Sequence, residues 1–218
     1  MALASKQTVH LAFELPLDWS EPLAAYVKSA DERRAMSAFL NQSGWDHLVA
    51  QYPDGRTSHA MIALLRYVHS LARAGYPVSA ATFDTRPWES KLNSDVGMAA
   101  ASTRQIETIK ADVTYVLAGE FHTRLVENTT PFAPHPMAAL VAGARPNWPV
   151  LSVVATYSSG SIWGCDGDNK CGAMPQHKGP PLRAAALALS TARNAEGYRG
   201  ELYVGTVTAS PPYKQAHN

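Results

Sequence analysis

Carboxylates and an imidazole, the side chains most used for proton transfer or metal binding near neutral pH, follow apolar segments of this chain. Segment 113–122 reads Val-Thr-Tyr-Val-Leu-Ala-Gly-Glu-Phe-His. Its apolar, β-branched run predicts a buried strand with a polar tip that carries Glu120 and His122. On a regular strand these side chains, two residues apart, would point to one face. Glu14 ends an earlier apolar segment, and a carboxylate there needs a partner or a proton.

Four other residues are candidates for a pocket formed with Glu14, Glu120 and His122, and each of the four also has a purely structural alternative role. Arg56 would hold a substrate carboxylate or orient Glu14, or would be a solvated residue at the start of a helix. Asp84 ends the second strand and would be a third acid or a helix cap. Ser210 precedes two prolines and would line the pocket or form a plain turn, and His135 would be a lid residue or ligand.

Strands and helices alternate along the predicted structure, which indicates a mostly parallel sheet with right-handed crossovers. The clearest helix is 58–74, because its apolar residues recur every three or four positions. We predict strands over 8–15, 78–83, 113–122, 150–157 and 201–207, and helices over 20–27, 31–40, 58–74, 94–110, 137–143 and 182–192. The 218 residues, 46% hydrophobic and 17% charged, suit one domain.

Charge and composition exclude several functions. The net charge of +1 gives no electrostatic case for nucleic acid, and the apolar runs are too broken to span a membrane. No Gly-x-Ser-x-Gly elbow or phosphate-binding glycine loop is present, which argues against a serine hydrolase of the α/β-hydrolase type and against nucleotide binding. Residues 1–10 do not form a signal peptide, although a local Cys165–Cys171 disulfide would be compatible with export. Localisation therefore stays open.

Short motifs, taken in order, resemble those of the erythromycin esterase/ChaN-like superfamily, which also includes the TraB and Tiki proteins. They are 11–16 (Leu-Ala-Phe-Glu-Leu-Pro), Asp54-Gly55-Arg56 with Ser58, Phe83-Asp84, 118–122 (Ala-Gly-Glu-Phe-His) and Pro136-Met137. Segments 163–172 and 208–212 resemble uncharacterised bacterial members of the ChaN-like branch. The resemblance implies one α/β domain over 1–218, with a mostly parallel central sheet flanked by helices and a pocket at the strand ends.

Members of the superfamily include hydrolases that open macrolide lactones, metal-dependent peptidases and haem-iron-binding lipoproteins. Their pocket combines a first Gly-Glu-x-(x)-His motif, an acidic residue that ends the next strand, and a second motif ending in His. Glu14 matches the acidic residue and Gly119 to His122 match the last motif, but the first motif has no counterpart. We therefore expect the sheet to lack an N-terminal strand and to expose an edge that a homodimer or strand exchange would cover.

Three functional hypotheses remain. In the first, the chain is a hydrolase of esters, lactones or amides in which His122 activates water. Glu14 and Glu120 would orient that water or hold a divalent metal with His122, and Arg56 would stabilise the oxyanion. In the second, the chain binds haem iron through His122, His135 or a tyrosine. In the third, it is a non-catalytic remnant, because the first motif is missing.

Overall fold

The computed structural model describes residues 7–51, 54–85, 94–127, 135–165, 170–177 and 186–214. Strands and helices alternate through these ranges, and the predicted α/β fold is confirmed. The helices are α1 (Ser20–Lys28), α2 (Glu32–Ser43), α3 (Trp45–Gln51), α4 (His59–Arg73), α5 (Ser94–Ile109), α6 (Glu120–Thr123) and α7 (Met137–Ala144). The strands are β1 (Val9–Pro16), β2 (Val78–Asp84), β3 (Val113–Leu117), β4 (Val153–Thr156), β5 (Ser159–Cys165), β6 (Cys171–His177), β7 (Ala186–Leu189), β8 (Gly200–Tyr203) and β9 (Thr206–Val207).

The sheet that positions the candidate site has the order β2-β1-β3, and all three strands are parallel. Strand β1 therefore lies in the middle and pairs with a strand on each side. Its apolar residues are buried on both faces, which is why it reads as an almost continuous apolar segment.

Helices cover the two faces of this sheet with separate apolar clusters. On one face, Phe13 and Leu15 of β1 pack with the buried stripe of α4, which includes Leu65 and Val68. On the other face, Ala12 packs in a smaller cluster formed by α5, α7 and Phe83 of β2. Successive side chains of β1 point to opposite faces, so Ala12 packs against one helix layer and Phe13 against the other.

The strand order also locates a crevice. The chain passes from β1 to β2 through α1–α4, and then from β2 back across β1 to β3 through α5. The direction of the connections thus reverses at β1, between the carboxyl ends of β1 and β3. Ligands of open α/β sheets bind at such a reversal point. Glu14 in β1 and His122 after β3 lie on its two sides.

The carboxyl-terminal part of the chain differs most from the sequence-based predictions. The predicted helix 182–192 is wrong: residues 186–189 form strand β7, antiparallel to β8, and residues 178–185 lie outside the described ranges. The alternation of alanine and leucine in residues 186–189 is compatible with a helix and with a strand, and the pairing with β8 selects the strand. The predicted strand 201–207 is two strands, β8 and β9, separated by a turn in which Gly205 has a φ of 79°.

Two predicted strand boundaries are also corrected, and the segment with the cysteines forms a hairpin. The strand predicted over 113–122 ends at Leu117, and Glu120 to His122 belong to the single helical turn α6. The strand predicted over 150–157 is shorter, Val153–Thr156. The long segment that holds the cysteines contains the hairpin β5–β6, in which Cys165 pairs with Cys171 in backbone register. The side chain of Cys165 lies outside the described part, so the disulfide stays a prediction.

His10 is a buried histidine in the middle of the sheet, with 0% of its surface exposed. Its Nδ1 lies 3.0 Å from the Ser79 hydroxyl on β2. Burial lowers the pKa of His10 below its ordinary value, against the opposing effects of hydrogen bonds with Gln105 and Ser79. The folded protein therefore binds a proton at this ring less readily than the unfolded chain, in which the pKa of a histidine is about 6.5.

From this we predict that the free energy of unfolding decreases as the pH falls below about 6.5, because the unfolded state then binds an extra proton at His10. Urea unfolding of the wild type and of His10→Gln between pH 5 and 8 measures the effect. The substitution should destabilise the protein at pH 8 and flatten the decline at low pH, and equal slopes for the two proteins would contradict the assignment.

Candidate functional site

Glu14 is a largely buried carboxylate at the end of β1, with 10% of its side chain exposed. Its Oε2 accepts a 2.6 Å hydrogen bond from the backbone N–H of Gly119, directly after β3. The carboxyl ends of β1 and β3 are thus joined through the Glu14 carboxylate.

Arg56 supplies the positive charge that balances the acidic side chains. Its Nη1 lies 3.5 Å from Glu14 Oε1 and 3.3 Å from Asp84 Oδ2. Its Nε and Nη2 donate to Asp54 Oδ2 at 2.9 and 2.6 Å, in the turn that precedes α4. Asp54 also accepts from the Arg56 backbone N–H, which fixes the turn. The guanidinium therefore holds three carboxylates, and orienting Glu14 is the role of Arg56 that its contacts favour.

His122 lies in α6, and its ring is oriented by an aspartate from a different element. The Nδ1 of His122 is 2.8 Å from Oδ1 of Asp95, which lies in the first turn of α5 and is 1% exposed. The same Asp95 oxygen accepts a 2.7 Å hydrogen bond from the backbone N–H of Met137 at the start of α7. Since a carboxylate only accepts, this contact selects the tautomer with the proton on Nδ1.

The Nε2 atom of His122 faces Glu14. The distance from Nε2 to Glu14 Oε1 is 3.9 Å, too long for a direct hydrogen bond and far below the roughly 12 Å beyond which no small ligand would join them. An acid from the start of the chain and an imidazole from its middle therefore lie side by side beyond the carboxyl ends of β1 and β3. Both side chains are mostly buried, with 10% and 17% of their surfaces exposed.

Glu120 lies in α6 and not on a strand end, so strand alternation does not place it on one face with His122. Its carboxylate lies 3.0 Å from Nη2 of Arg124, which also contacts Glu196 at 3.2 Å. Burial raises the pKa of Tyr198, whose hydroxyl donates to the Glu120 carbonyl at 2.8 Å. These contacts anchor α6 to the chain before β8, and a positioning role for Glu120 is what they support.

Ser210 and His135 make contacts elsewhere. The Ser210 hydroxyl accepts from the backbone N–H of Ala60 at 2.8 Å and so holds the start of α4. His135 lies 3.1 Å from the Glu127 carboxylate, and both side chains are more than half exposed. Of the seven candidates from the sequence, the structure thus gathers Glu14, Arg56, Asp84 and His122.

Asp95 and Asp54 are the site residues that the sequence analysis missed as individual candidates. Asp95 follows Ser94 at the start of a predicted helix, where an acidic residue ordinarily interacts with the helix dipole. Nothing in the local sequence shows that His122, 27 residues later, approaches it. Asp54 lies in a Pro-Asp-Gly sequence typical of a turn, two residues before Arg56. That spacing could have indicated a contact between the two side chains.

Within the described residues, no group of three or more histidine, cysteine, aspartate or glutamate side chains has an arrangement that fits a metal ion. The helices of those same residues include none with the length and apolar character needed to cross a bilayer.

One solved structure resembles the whole chain. A crystal structure of a protein from Bacillus cereus superposes with a TM-score of 0.68 and 9% sequence identity, covering 98% of this chain and 84% of that chain. At this identity the likeness establishes the fold alone. No protein-family model and no curated protein matches the sequence.

Proposed function

We propose that this protein is a hydrolase without a serine nucleophile, acting on an ester, lactone or amide through water activated by His122. The observation that carries the proposal is the chain of contacts from Asp95 through the His122 ring to Glu14. A buried carboxylate on one ring nitrogen, with a second carboxylate 3.9 Å from the other nitrogen, is an arrangement that suits a general base.

The spacing of Glu14 and His122 suits a bridging water. An oxygen atom between Glu14 Oε1 and His122 Nε2, which are 3.9 Å apart, can donate one hydrogen to each. It would keep a lone pair for attack on a carbonyl carbon. Nε2 then takes the proton as the new carbon–oxygen bond forms and the carbonyl π electrons move to the carbonyl oxygen, and Asp95 stabilises the imidazolium that results. When the carbonyl forms again, the bond to the leaving oxygen or nitrogen breaks and the imidazolium gives its proton to that atom. Arg56 contacts Glu14 and so orients the carboxylate that holds the water.

The charge of the cleft restricts the substrate. Among the residues that the structure describes, four carboxylates surround one guanidinium and one imidazole: Glu14, Asp54, Asp84 and Asp95. The guanidinium is engaged by three of them, so a substrate carboxylate would meet repulsion. Neutral or cationic substrates are therefore favoured, which replaces the idea that Arg56 binds a substrate acid.

We predict that His122→Ala lowers kcat/KM at least about a hundredfold, because it removes the general base. p-Nitrophenyl acetate, δ-valerolactone and an amino-acid p-nitroanilide serve as probes of the three substrate classes. His47→Ala is the matched control, since His47 is an exposed histidine on α3. An unchanged rate in His122→Ala, or no turnover of any probe by the wild type, would overturn the proposal.

A second prediction concerns Asp95 as a positioning residue. In Asp95→Asn, the side-chain oxygen can still accept from Met137, while the amide no longer selects the Nδ1–H form of His122. We expect kcat to fall roughly a thousandfold with little change in KM, by analogy with other aspartate–histidine pairs, and to recover partly at high pH.

Asp18→Asn is the control for this substitution, because Asp18 is an exposed aspartate in the turn after β1. The far-UV circular dichroism of both variants should match that of the wild type. A kcat for Asp95→Asn within threefold of the wild-type value, or an equal loss in the control, would remove Asp95 from the mechanism.

A further inference from the structure

The outer edge of β3 presents backbone groups that pair with no described strand. In the β2-β1-β3 sheet, β3 has β1 on one side only. The backbone N–H of Val113 donates to Thr8 next to β1, so the main-chain groups of Val113, Tyr115 and Leu117 point inwards. By alternation, the N–H and C=O groups of Thr114 and Val116 point outwards, ready to pair with another strand.

The side chains of this edge are also apolar and exposed. Tyr115 is 47% and Leu117 is 48% exposed, and both lie on the face of the sheet that carries α4. Tyr115 also forms a wall of a groove of about 320 Å³ between β3 and α4. The groove is lined by Leu11, Leu64, Tyr67, Val68 and Tyr76 among others, and none of its lining residues is charged.

Natural sheets protect such an edge with lysine, proline or a bulge. Val113–Leu117 has none of these: its residues are Val, Thr, Tyr, Val and Leu, and its pairing with β1 is regular throughout. The edge therefore has the features of a strand that pairs with a partner.

We propose that β3 is the interface of a homodimer, in which two copies pair antiparallel about a twofold axis through Tyr115. In this register Thr114 exchanges two backbone hydrogen bonds with Val116 of the partner subunit, and symmetry doubles them. Tyr115 then faces the partner's Tyr115 as a close, non-hydrogen-bonded pair, which brings the two aromatic rings together. All the outward groups of the strand are used, and the result is one six-stranded sheet.

A second copy is the occupant that the surface favours, because a strand centred on Tyr115 is complementary to itself. Tyr67, Tyr76, Tyr115 and Leu117 are each about half exposed. With the strand edge they offer roughly 500 Å² per chain. Two such faces bury about 1,000 Å², the lower limit of specific interfaces, so the expected dissociation constant is of micromolar order. The dimer does not depend on the proposed hydrolase activity, since His122 lies beyond the carboxyl end of the strand.

Sedimentation velocity from about 1 to 100 µM, a range that spans micromolar dissociation constants, tests the proposal on the whole chain. The wild type should shift towards 47 kDa, twice the 23.5 kDa of one chain. Tyr115→Lys should stay monomeric, because two ammonium groups would meet on the axis. Leu187→Lys is the control: Leu187 is 57% exposed on β7, an edge strand of another sheet. A monomeric wild type, a dimeric Tyr115→Lys, or a monomeric Leu187→Lys would each overturn the proposal.

Oxidative cross-linking tests the register without relying on a loss of binding. Tyr115→Cys should form a disulfide between subunits, since directly opposite residues of a close pair have Cα atoms about 4.5 Å apart. Thr114→Cys should not, because it faces Val116 of the partner subunit. The wild type, with Cys165 and Cys171, gives the background. Equal cross-linking of all three proteins would contradict this interface, as would another protein chain or a small apolar molecule found to occupy the edge in place of a second copy.

Discussion

The structure around the cleft depends on the neutralisation of buried carboxylates by Arg56. Glu14 and Asp84 end adjacent strands of the parallel sheet, and only 10% and 1% of their side chains are exposed. Two carboxylates so placed repel each other and lose hydration, unless a cation lies between them. Arg56 fills that position through Nη1, while Asp54 fixes the rest of the guanidinium. Arg56 thereby joins the ends of β1 and β2 to the turn before α4.

A second set of contacts connects this acidic cluster to the other helix layer. The N–H of Gly119 binds Glu14, and Asp95 binds both the His122 ring and the N–H that begins α7. Residues from β1, the β3–α6 connection, α5, α6 and α7 thus converge through three short polar contacts. A general base needs this kind of support, because the ring has to be held in one tautomer and one orientation before the reaction begins.

The sequence predicted the parts of the molecule that depend on local pattern. The apolar stripe of α4 and the buried segments of β1 and β2 have periodicities that only one structure satisfies, and these elements are confirmed. The resemblance motifs pointed to Glu14 and His122, which the structure places 3.9 Å apart. Residues 186–189 were misassigned because alternating small and large apolar residues suit a helix face or a strand, and tertiary pairing makes the choice.

Asp95 shows a different limit. Its partnership with His122 joins two segments 27 residues apart, and it depends on where α5 and α6 lie on the sheet. A helix-start aspartate has the same local sequence whether it interacts with a dipole or orients a ring. The prediction that Glu120 and His122 share one face was based on local spacing alone. Residues two apart share a face only on a strand, and the chain turns into α6 at that point.

The tautomer of His122 decides whether Asp95 orients this ring as a general base. Nitrogen-15 NMR of the histidine rings, with the His122 signals assigned by comparison with His122→Ala, reports which ring nitrogen carries the proton at neutral pH. We expect a protonated Nδ1 bound to Asp95 and an unprotonated Nε2 that faces Glu14. A ring protonated on Nε2, or one that averages between the two forms as a free imidazole does, would contradict it.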